Sequence, residues 1–386
     1  MEKVLITGGS GFIGNSIVEE LKNKYELIVL DNFSEQIHGN NYKESYLYKN
    51  IKDKCKVIKG DVRNYEDLRS ALEKVDYVIH LAAETGTGQS MYEINKYTDV
   101  NIMGTSNLLQ VILNEKLPIK KIILSSSRSV YGEGMYFCKK HKIVVPKSRK
   151  IEDMKNGDFE VKCPICGNRV DLIETKEDSE LDPISYYAYT KFAQEKMLEV
   201  MGKTMKIPYT IFRYQNVYGQ GQSLNNPYTG ILSIFSKLLL KNNNINIFED
   251  GNESRDFIHV SDVARATCSA IENTCTNYEK INIGSGKNIS VIKIAQILKK
   301  YYGSKSEINI TGDFRKGDIR HNIADISKVQ SLCKFKPQYD IEKGMKEFAL
   351  WVKRQNEEQN LEKSDDYFER SLYEMKENGM LIQAKE

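Results

Sequence analysis

Thr7-Gly-Gly-Ser-Gly-Phe-Ile-Gly14, preceded by the apolar run Val4-Leu-Ile6, opens the chain. The apolar run reads as a short buried strand. The glycines then turn it into a helix, predicted over residues 15–24. Gly8 permits the tight turn, Gly11 lets an anion approach the backbone, and Gly14 permits close packing of the helix. A glycine triplet alone produces many false matches. Here the strand–turn–helix context holds, and the next apolar run, Leu27-Ile-Val-Leu30, ends at Asp31, the offset a dinucleotide site requires.

Working outward, Lys56-Val-Ile-Lys59, Tyr77-Val-Ile-His-Leu81 and Ile122-Ile-Leu-Ser125 read as further strands, with helical patterns such as 65–74 between them. Strands alternating with helices predict an α/β fold, a Rossmann-type doubly wound parallel sheet. A carboxylate at Asp31 bonds the adenosine ribose hydroxyls and repels a 2′-phosphate, and Asn32 rather than Arg or Lys follows it, so the cofactor expected is NAD. Gly8, Gly11, Phe12, Ile13 and Gly14 are its expected phosphate contacts, Asp31 and Asn32 its ribose contacts. Asp61 and Val62 would meet the adenine, and Leu81 and Ala82 would let the cofactor lie against the backbone. Read blandly, Asp31 is a strand-end turn residue and Asp61 a solvated one.

The 386 residues are 40 % hydrophobic and 28 % charged, which suits a globular chain with an ample core. A net charge of +3 argues for neither nucleic acid nor membrane as a partner, and no run approaches the length of a membrane span. The first residues enter a strand pattern directly, so no signal peptide is expected. Seven cysteines, an odd number, point to a reducing cytoplasmic setting with free or metal-bound thiols. The expected division is a nucleotide domain over 1–205 carrying an insert at 133–176, a smaller, mainly substrate-binding α/β lobe over 206–350, and a charged helical tail over 351–386.

Two further motifs carry chemistry. Ser125-Ser-Ser-Arg-Ser-Val-Tyr-Gly132 is a serine cluster at a strand end, and Ser185-Tyr-Tyr-Ala-Tyr-Thr-Lys191 opens a helix. Of its three tyrosines only Tyr187 stands four residues before Lys191, on the same helical face. A free phenol of pKa ~10 is about a thousandth ionised at neutral pH, and bringing it to ~7 takes roughly 4 kcal/mol. A lysine, a nicotinium ring and a serine hydrogen bond could together supply that. Tyr-x-x-x-Lys alone is a weak signal, equally a tyrosine-rich amphipathic helix; in order with the glycine turn and the serines it reads as a proton-transfer site.

Together, Thr7–Gly14, Gly60-Asp61, His80-Leu-Ala-Ala83, Ser125–Gly132, Tyr187–Lys191, Arg213-Tyr-Gln-Asn-Val-Tyr-Gly219 and Arg255-Asp-Phe-Ile-His-Val-Ser-Asp262 resemble the extended short-chain dehydrogenase/reductase superfamily, in its nucleotide-sugar epimerase and dehydratase branch. The likeness covers roughly residues 1–350. It implies a tightly held NAD, a nucleoside-diphosphate-sugar substrate and a homodimer built on two helices per subunit. It also implies Ser127, Tyr187 and Lys191 as catalytic residues and Thr85, Ser127, Asn216, Arg255 and Arg315 as substrate contacts. Plainer alternatives are backbone capping for Ser127 and surface salt bridges for the two arginines. His259 reads as structural. In this branch 4,6-dehydratases place Asp-Glu after the serine, and decarboxylases usually a glutamate at the second position; here stand Arg128 and Ser129. The resemblance therefore implies epimerisation at C4. The Ser125–Gly134 run and Asn-Pro-Tyr-Thr-Gly-Ile-Leu at 226–232 further resemble the dTDP-L-rhamnose 4-epimerase group, which makes dTDP-6-deoxy-L-talose. The alternatives are a decarboxylase, dehydratase or reductase on the same fold, or a non-catalytic NAD-binding regulator.

The insert breaks the strand–helix rhythm. Cys138-x-x-His141 and Cys163-Pro-Ile-Cys166-Gly167 have the spacing of a tetrahedral zinc knuckle with no open position. The expectation is a structural zinc on Cys138, His141, Cys163 and Cys166, stapling a segment too poor in apolar residues for its own core. Four unrelated side chains, or a redox pair at Cys163 and Cys166, are the alternatives.

Overall fold

The computed structural model describes residues 1–224, 226, 228, 230–359 and 365–384. Its centre is a seven-stranded sheet of Lys3–Thr7 (β1), Glu26–Asp31 (β2), Lys56–Lys59 (β3), Tyr77–His80 (β4), Lys121–Ser127 (β5), Tyr209–Tyr214 (β6) and Glu279–Ile283 (β7), in the order β7-β6-β5-β4-β1-β2-β3. Every pairing is parallel. Alternation along β1 explains the layers. Val4 and Ile6 face Ile17 and Val18 of helix α1 (Phe12–Leu21) together with Val263 and Ala264, whereas Leu5 faces Leu68, Leu109 and Leu198. Each such side chain removed from water contributes roughly 1.5–3 kcal/mol, so both faces must be covered and the strands are apolar on both. Strand order reverses between β1 and β4, which opens a crevice beyond the strand ends.

Helix α1 begins at Phe12, earlier than the pattern suggested, because Gly11 is itself its N-cap. A second lobe packs Leu232, Phe235, Leu239, Ile294, Leu298, Phe348 and Trp351 between helices Ile231–Leu240, Val291–Tyr302 and Ile341–Gln359. The single boundary expected at 205/206 does not separate the two bodies. β6, β7 and helix Val260–Ser269 lie in the large layer, because the lobe is built from excursions that leave the strand ends and return to the sheet. The boundary at 350/351 likewise falls inside helix Ile341–Gln359.

The insert forms a three-stranded antiparallel sheet of Lys142–Val144, Tyr136–Cys138 and Asp171–Leu172. Contrary to expectation it has a small core, with Tyr136, Val144 and Val161 buried beside Cys138 and Cys163. Arg149 fixes it to the lobe, donating to Glu249 at 2.8 and 2.7 Å, with the Arg149 side chain 4 % exposed. Arg320 extends this clamp to Glu249, Asp250 and Glu160. After residue 364 the tail forms helix Asp365–Glu377 and a strand, Leu381–Ile382, paired antiparallel with Phe314–Arg315. Among the described residues no helix is long and apolar enough to cross a membrane.

Candidate active site

The crevice and the second lobe enclose one cavity of about 980 Å³, and every cofactor and substrate position expected above lines it. That volume suits a small-molecule ligand site.

At the β1 end, Gly8 has φ +68°, and a Cβ there would lie 2.7 Å from the Ala82 nitrogen; one on Gly14 would lie 2.5 Å from the Gly9 Cα. Only hydrogen atoms fit, so the turn presses against the backbone after β4, with Gly8 N bonded to the Leu30 carbonyl and Gly11 N to the Gly8 carbonyl. Asp31 at the end of β2 accepts from Ser10 N and Phe33 N, both at 2.9 Å. Burial pushes its carboxyl up, and the two backbone hydrogen bonds oppose that. It both ties the glycine turn and borders the cavity. Asp61 is engaged by Arg63 at 2.7 Å and by Asn32 at 3.1 Å; burial works against its ionisation, and Arg63 and Asn32 outweigh it.

At the β5 end stands helix α2 (Tyr186–Thr204), capped by Ser185, whose hydroxyl accepts from Ala188 N at 3.2 Å. This cap puts Tyr187 in the first turn, with its amide on Ser90 Oγ at 3.0 Å. Lys191, one turn on, donates to the Ser125 carbonyl at 2.9 Å. Ser127 Oγ accepts from Ser129 N at 3.2 Å and lies on the Tyr187 side of the strand end. Burial pushes the Tyr187 phenol up from its ordinary value, while the Ser127 hydroxyl and the Arg128 charge pull it down. Burial also pushes Lys191 down to about 7, with Glu195 opposing. Lys191 is not among the groups that shift the phenol here. The lysine head is turned to the strand end and is only weakly held as a cation, and the charge acting on Tyr187 is that of Arg128.

Around this centre, Ser126 donates to Glu195, which also holds Arg213 at 2.9 and 2.8 Å; Arg213 reaches the Tyr131 hydroxyl at 2.8 Å. These are buried struts. His80 is another, between Thr7 Oγ1 at 2.7 Å and Thr105 Oγ1 at 3.0 Å. His259 stacks on Tyr339 with centroids 3.8 Å apart, which fits the structural part expected for it.

The end of the cavity where substrate contacts were expected is assembled from distant segments. Asn216 borders the cavity with its Oδ1 buried and unbonded among the described residues. Arg255 donates to the carbonyls of Ser254, Ile319 and Arg320 at 2.8–2.9 Å, with no carboxylate partner among its hydrogen bonds. Arg315 is paired with Asp318 at 2.7 Å and lies over Phe248, so the salt bridge expected as its plainer alternative exists, inside the cavity wall. Thr85 borders the cavity while its carbonyl accepts from the Tyr97 hydroxyl at 2.8 Å.

Three contributors escaped the sequence. Arg128 was read only for the acid it displaces. Asn101, in a π-helical turn (Thr98–Met103), holds Glu84 N at 2.8 Å, the Glu84 carbonyl at 3.1 Å and Thr190 Oγ1 at 2.9 Å, fixing the loop after β4 against α2; wide turns of this kind often mark functional positions. The tail supplies Phe368, Leu372 and Met375 to the cavity, and Tyr228 donates to Glu374 across its mouth. Of the Asn-Pro-Tyr-Thr-Gly stretch at 226–230, residues 227 and 229 lie outside the described residues, as does the preceding residue 225.

Cys138, His141, Cys163 and Cys166 of the insert converge away from this cavity, with their sulfur and ring-nitrogen atoms within 4.8 Å of one another. Cys138 Sγ lies 3.7 Å from His141 Nδ1 and 3.8 Å from Cys166 Sγ, and Cys163 Sγ lies 3.5 Å from His141 Nδ1.

A family model described as NAD dependent epimerase/dehydratase family matches residues 4–153 and 163–284. The dTDP-L-rhamnose 4-epimerase of Burkholderia thailandensis is 36 % identical over 93 % of this chain and 97 % of its own length. Among solved structures, UDP-glucose 4-epimerase of Thermotoga maritima with UDP-glucose superposes with TM-score 0.75 at 28 % identity, covering 92 % of this chain and 99 % of that one. UDP-glucuronic acid 4-epimerase of Bacillus cereus, in complex with UDP-glucuronic acid and NAD, gives 0.74 at 27 % with the same coverage.

Proposed function

The chain belongs to the NAD dependent epimerase/dehydratase family, and from that premise we propose that it inverts C4 of a nucleoside-diphosphate sugar through a transient 4-keto sugar. The observation that carries this reading is the convergence of Ser127, Tyr187 and Lys191 on one wall of the cavity whose other end is the glycine turn. The turn fits NAD, because its Cβ-free surface lets a pyrophosphate approach the start of α1, and the Asp31 carboxylate borders the same cavity, where it disfavours a 2′-phosphate. Bound there, NAD supplies a reversible acceptor for the hydrogen on C4.

The residues manage position and protons. Tyr187 takes the proton from O4 and later returns it. Ser127 donates to the same oxygen as it becomes a carbonyl. Lys191, anchored on Ser125 O, reaches the nicotinamide ribose side of the crevice. Asn216, through its amide NH2, and Arg255 donate to the diphosphate. Arg128 and Ser129 provide no acid to expel a hydroxyl, so the oxidised sugar turns about its phosphate linkage instead of losing water.

For the substrate, the 36 % identity to a dTDP-L-rhamnose 4-epimerase supports dTDP-L-rhamnose converted to dTDP-6-deoxy-L-talose. Incubation with a panel of nucleotide sugars, read by NMR for 4-epimers, tests this. Equilibration of dTDP-L-rhamnose without added NAD is expected; inertness to every 4-hydroxy sugar overturns the reading.

The insert would hold a structural zinc. A tetrahedron with Zn–S about 2.3 Å and Zn–N about 2.05 Å has edges of about 3.8 Å between sulfurs and about 3.6 Å between sulfur and nitrogen, and the separations above match both. Near one zinc per chain and a lower melting temperature with chelator are expected; metal-free protein of unchanged stability overturns it. A homodimer through two helices fits the exposed Met103, Tyr189 and Val200, and a cytoplasmic setting fits seven cysteines without a disulfide among them.

A further inference from the structure

Arg128 follows Ser127 directly at the end of β5 and lines the cavity beside Ser127 and Tyr187. Its guanidinium makes no hydrogen bond or ion pair with any described residue. Lys191, the other cation here, is held by a backbone carbonyl. Arg128 is half-buried against the cavity, so its unpaired charge is turned towards whatever the cavity holds. We propose that Arg128 is a positioning residue for proton transfer, the fixed positive charge beside which the Tyr187 phenolate forms.

This deepens the epimerase reading and rests on it for the identity of Tyr187 as proton acceptor. The charged and titratable surroundings agree with it. Tyr187 is faced by the Tyr97 ring and by Arg128, while Lys191, one turn on in its own helix, points to the Ser125 carbonyl. Behind these stand Glu195, which acts on Lys191, and Glu84, which acts on Tyr97. Arg255, Asp318 and Glu133 act on Arg128. Burial, and then Arg255, push Arg128 down to about 10, which leaves it charged at neutral pH. The same position gives the epimerase its selectivity against dehydration: a cation there favours an oxyanion and cannot protonate a leaving hydroxyl at neutral pH.

The test is a tyrosinate ultraviolet-difference titration of the purified protein, with Tyr187→Phe subtracted to isolate one phenol. A nearby opposite charge shifts a pKa by about one to three units. Arg128→Gln, or Arg128→Met should Gln fail to fold, is expected to raise the Tyr187 midpoint by at least about one pH unit, and Arg128→Lys to restore most of that. The acid limb of the kcat profile moves the same way, with KM little changed. An unmoved midpoint in the neutral variants overturns the proposal, as does a defect confined to KM, which makes Arg128 a substrate anchor only. Because the titration needs no turnover, failure of every sugar to react would strike the epimerase reading while the Arg128 result still stood.

Discussion

The two ends of the cavity are built in opposite ways. The end beneath β1 and β2 is made of backbone: glycines with no room for a Cβ, a strand-end carboxylate anchored on two amides, and small residues after β4. The sugar end is made of charge. Arg128, Arg255 and Arg315 come from three distant segments, and the last two are held by carbonyls or by Asp318. Behind them runs the buried clamp of Arg149, Arg320, Glu249 and Glu160. The backbone end can change little without losing its shape. The charged end can be retuned one side chain at a time, which is where members of one fold are expected to differ in substrate.

The comparison can be broken at the chemistry first. Tyr187→Phe should lower kcat by at least about 10³-fold while cofactor content and melting temperature stay near wild type; a smaller loss would move the proton acceptor elsewhere. Next, Arg149→Ala leaves Glu249 and Glu133 short of a buried partner and should cost about 3 kcal/mol of stability, read by denaturant titration. The same clamp has a pH signature. The His321 contact, and with it Arg320, hold Glu160 down to about 2 against burial. Its folded pKa lies below the unfolded one, so its contribution is complete above the ordinary carboxyl range near 4.5 and is lost as pH falls towards 2. Wild type should therefore lose more melting temperature than Glu160→Gln between pH 5 and pH 3.

At the backbone end, Gly14→Ala drives a methyl into Gly9 and should cost about 1–3 kcal/mol, with co-purifying NAD lost and the sugar end unaltered. Retained NAD in that variant would show the turn to be more pliable than its contacts suggest. The smallest effect belongs to the tail. Ending the chain after Gln359 removes Met375 and the Tyr228–Glu374 contact, about 1 kcal/mol of cover, and should raise KM roughly five-fold with kcat nearly unchanged.

The backbone end was legible in the sequence because its recognition is local. Gly8, Gly14 and Asp31 fall within one strand–turn–helix–strand unit, and the steric demand on each residue is visible as the residue itself. Tyr187 and Lys191 were legible as a helical pair, but the direction of the phenol shift was not. Which cation acts on it depends on where the lysine head is anchored, and Ser125 O is 66 positions away. Arg128 was visible yet undervalued, since a guanidinium is known to be unpaired only once its surroundings are placed. The lobe boundary failed because β6 and β7 return to the sheet from beyond residue 205, a pairing that periodicity does not encode. The cysteine and histidine spacing anticipated convergence of the four insert ligands.

The strap formed by Asp365–Glu377 and Leu381–Ile382 gives the cavity an order of assembly. During synthesis the chain emerges from its first residue onward, and early regions fold before late ones. The glycine turn, Asp31, Ser127 and the Tyr187 helix all lie before residue 205, so most of the dinucleotide crevice can form on the ribosome. The wall that carries Phe368, Leu372 and Met375 arrives after all of these. A nascent chain can thus take up its dinucleotide through a mouth still open, and the finished tail then narrows the way out.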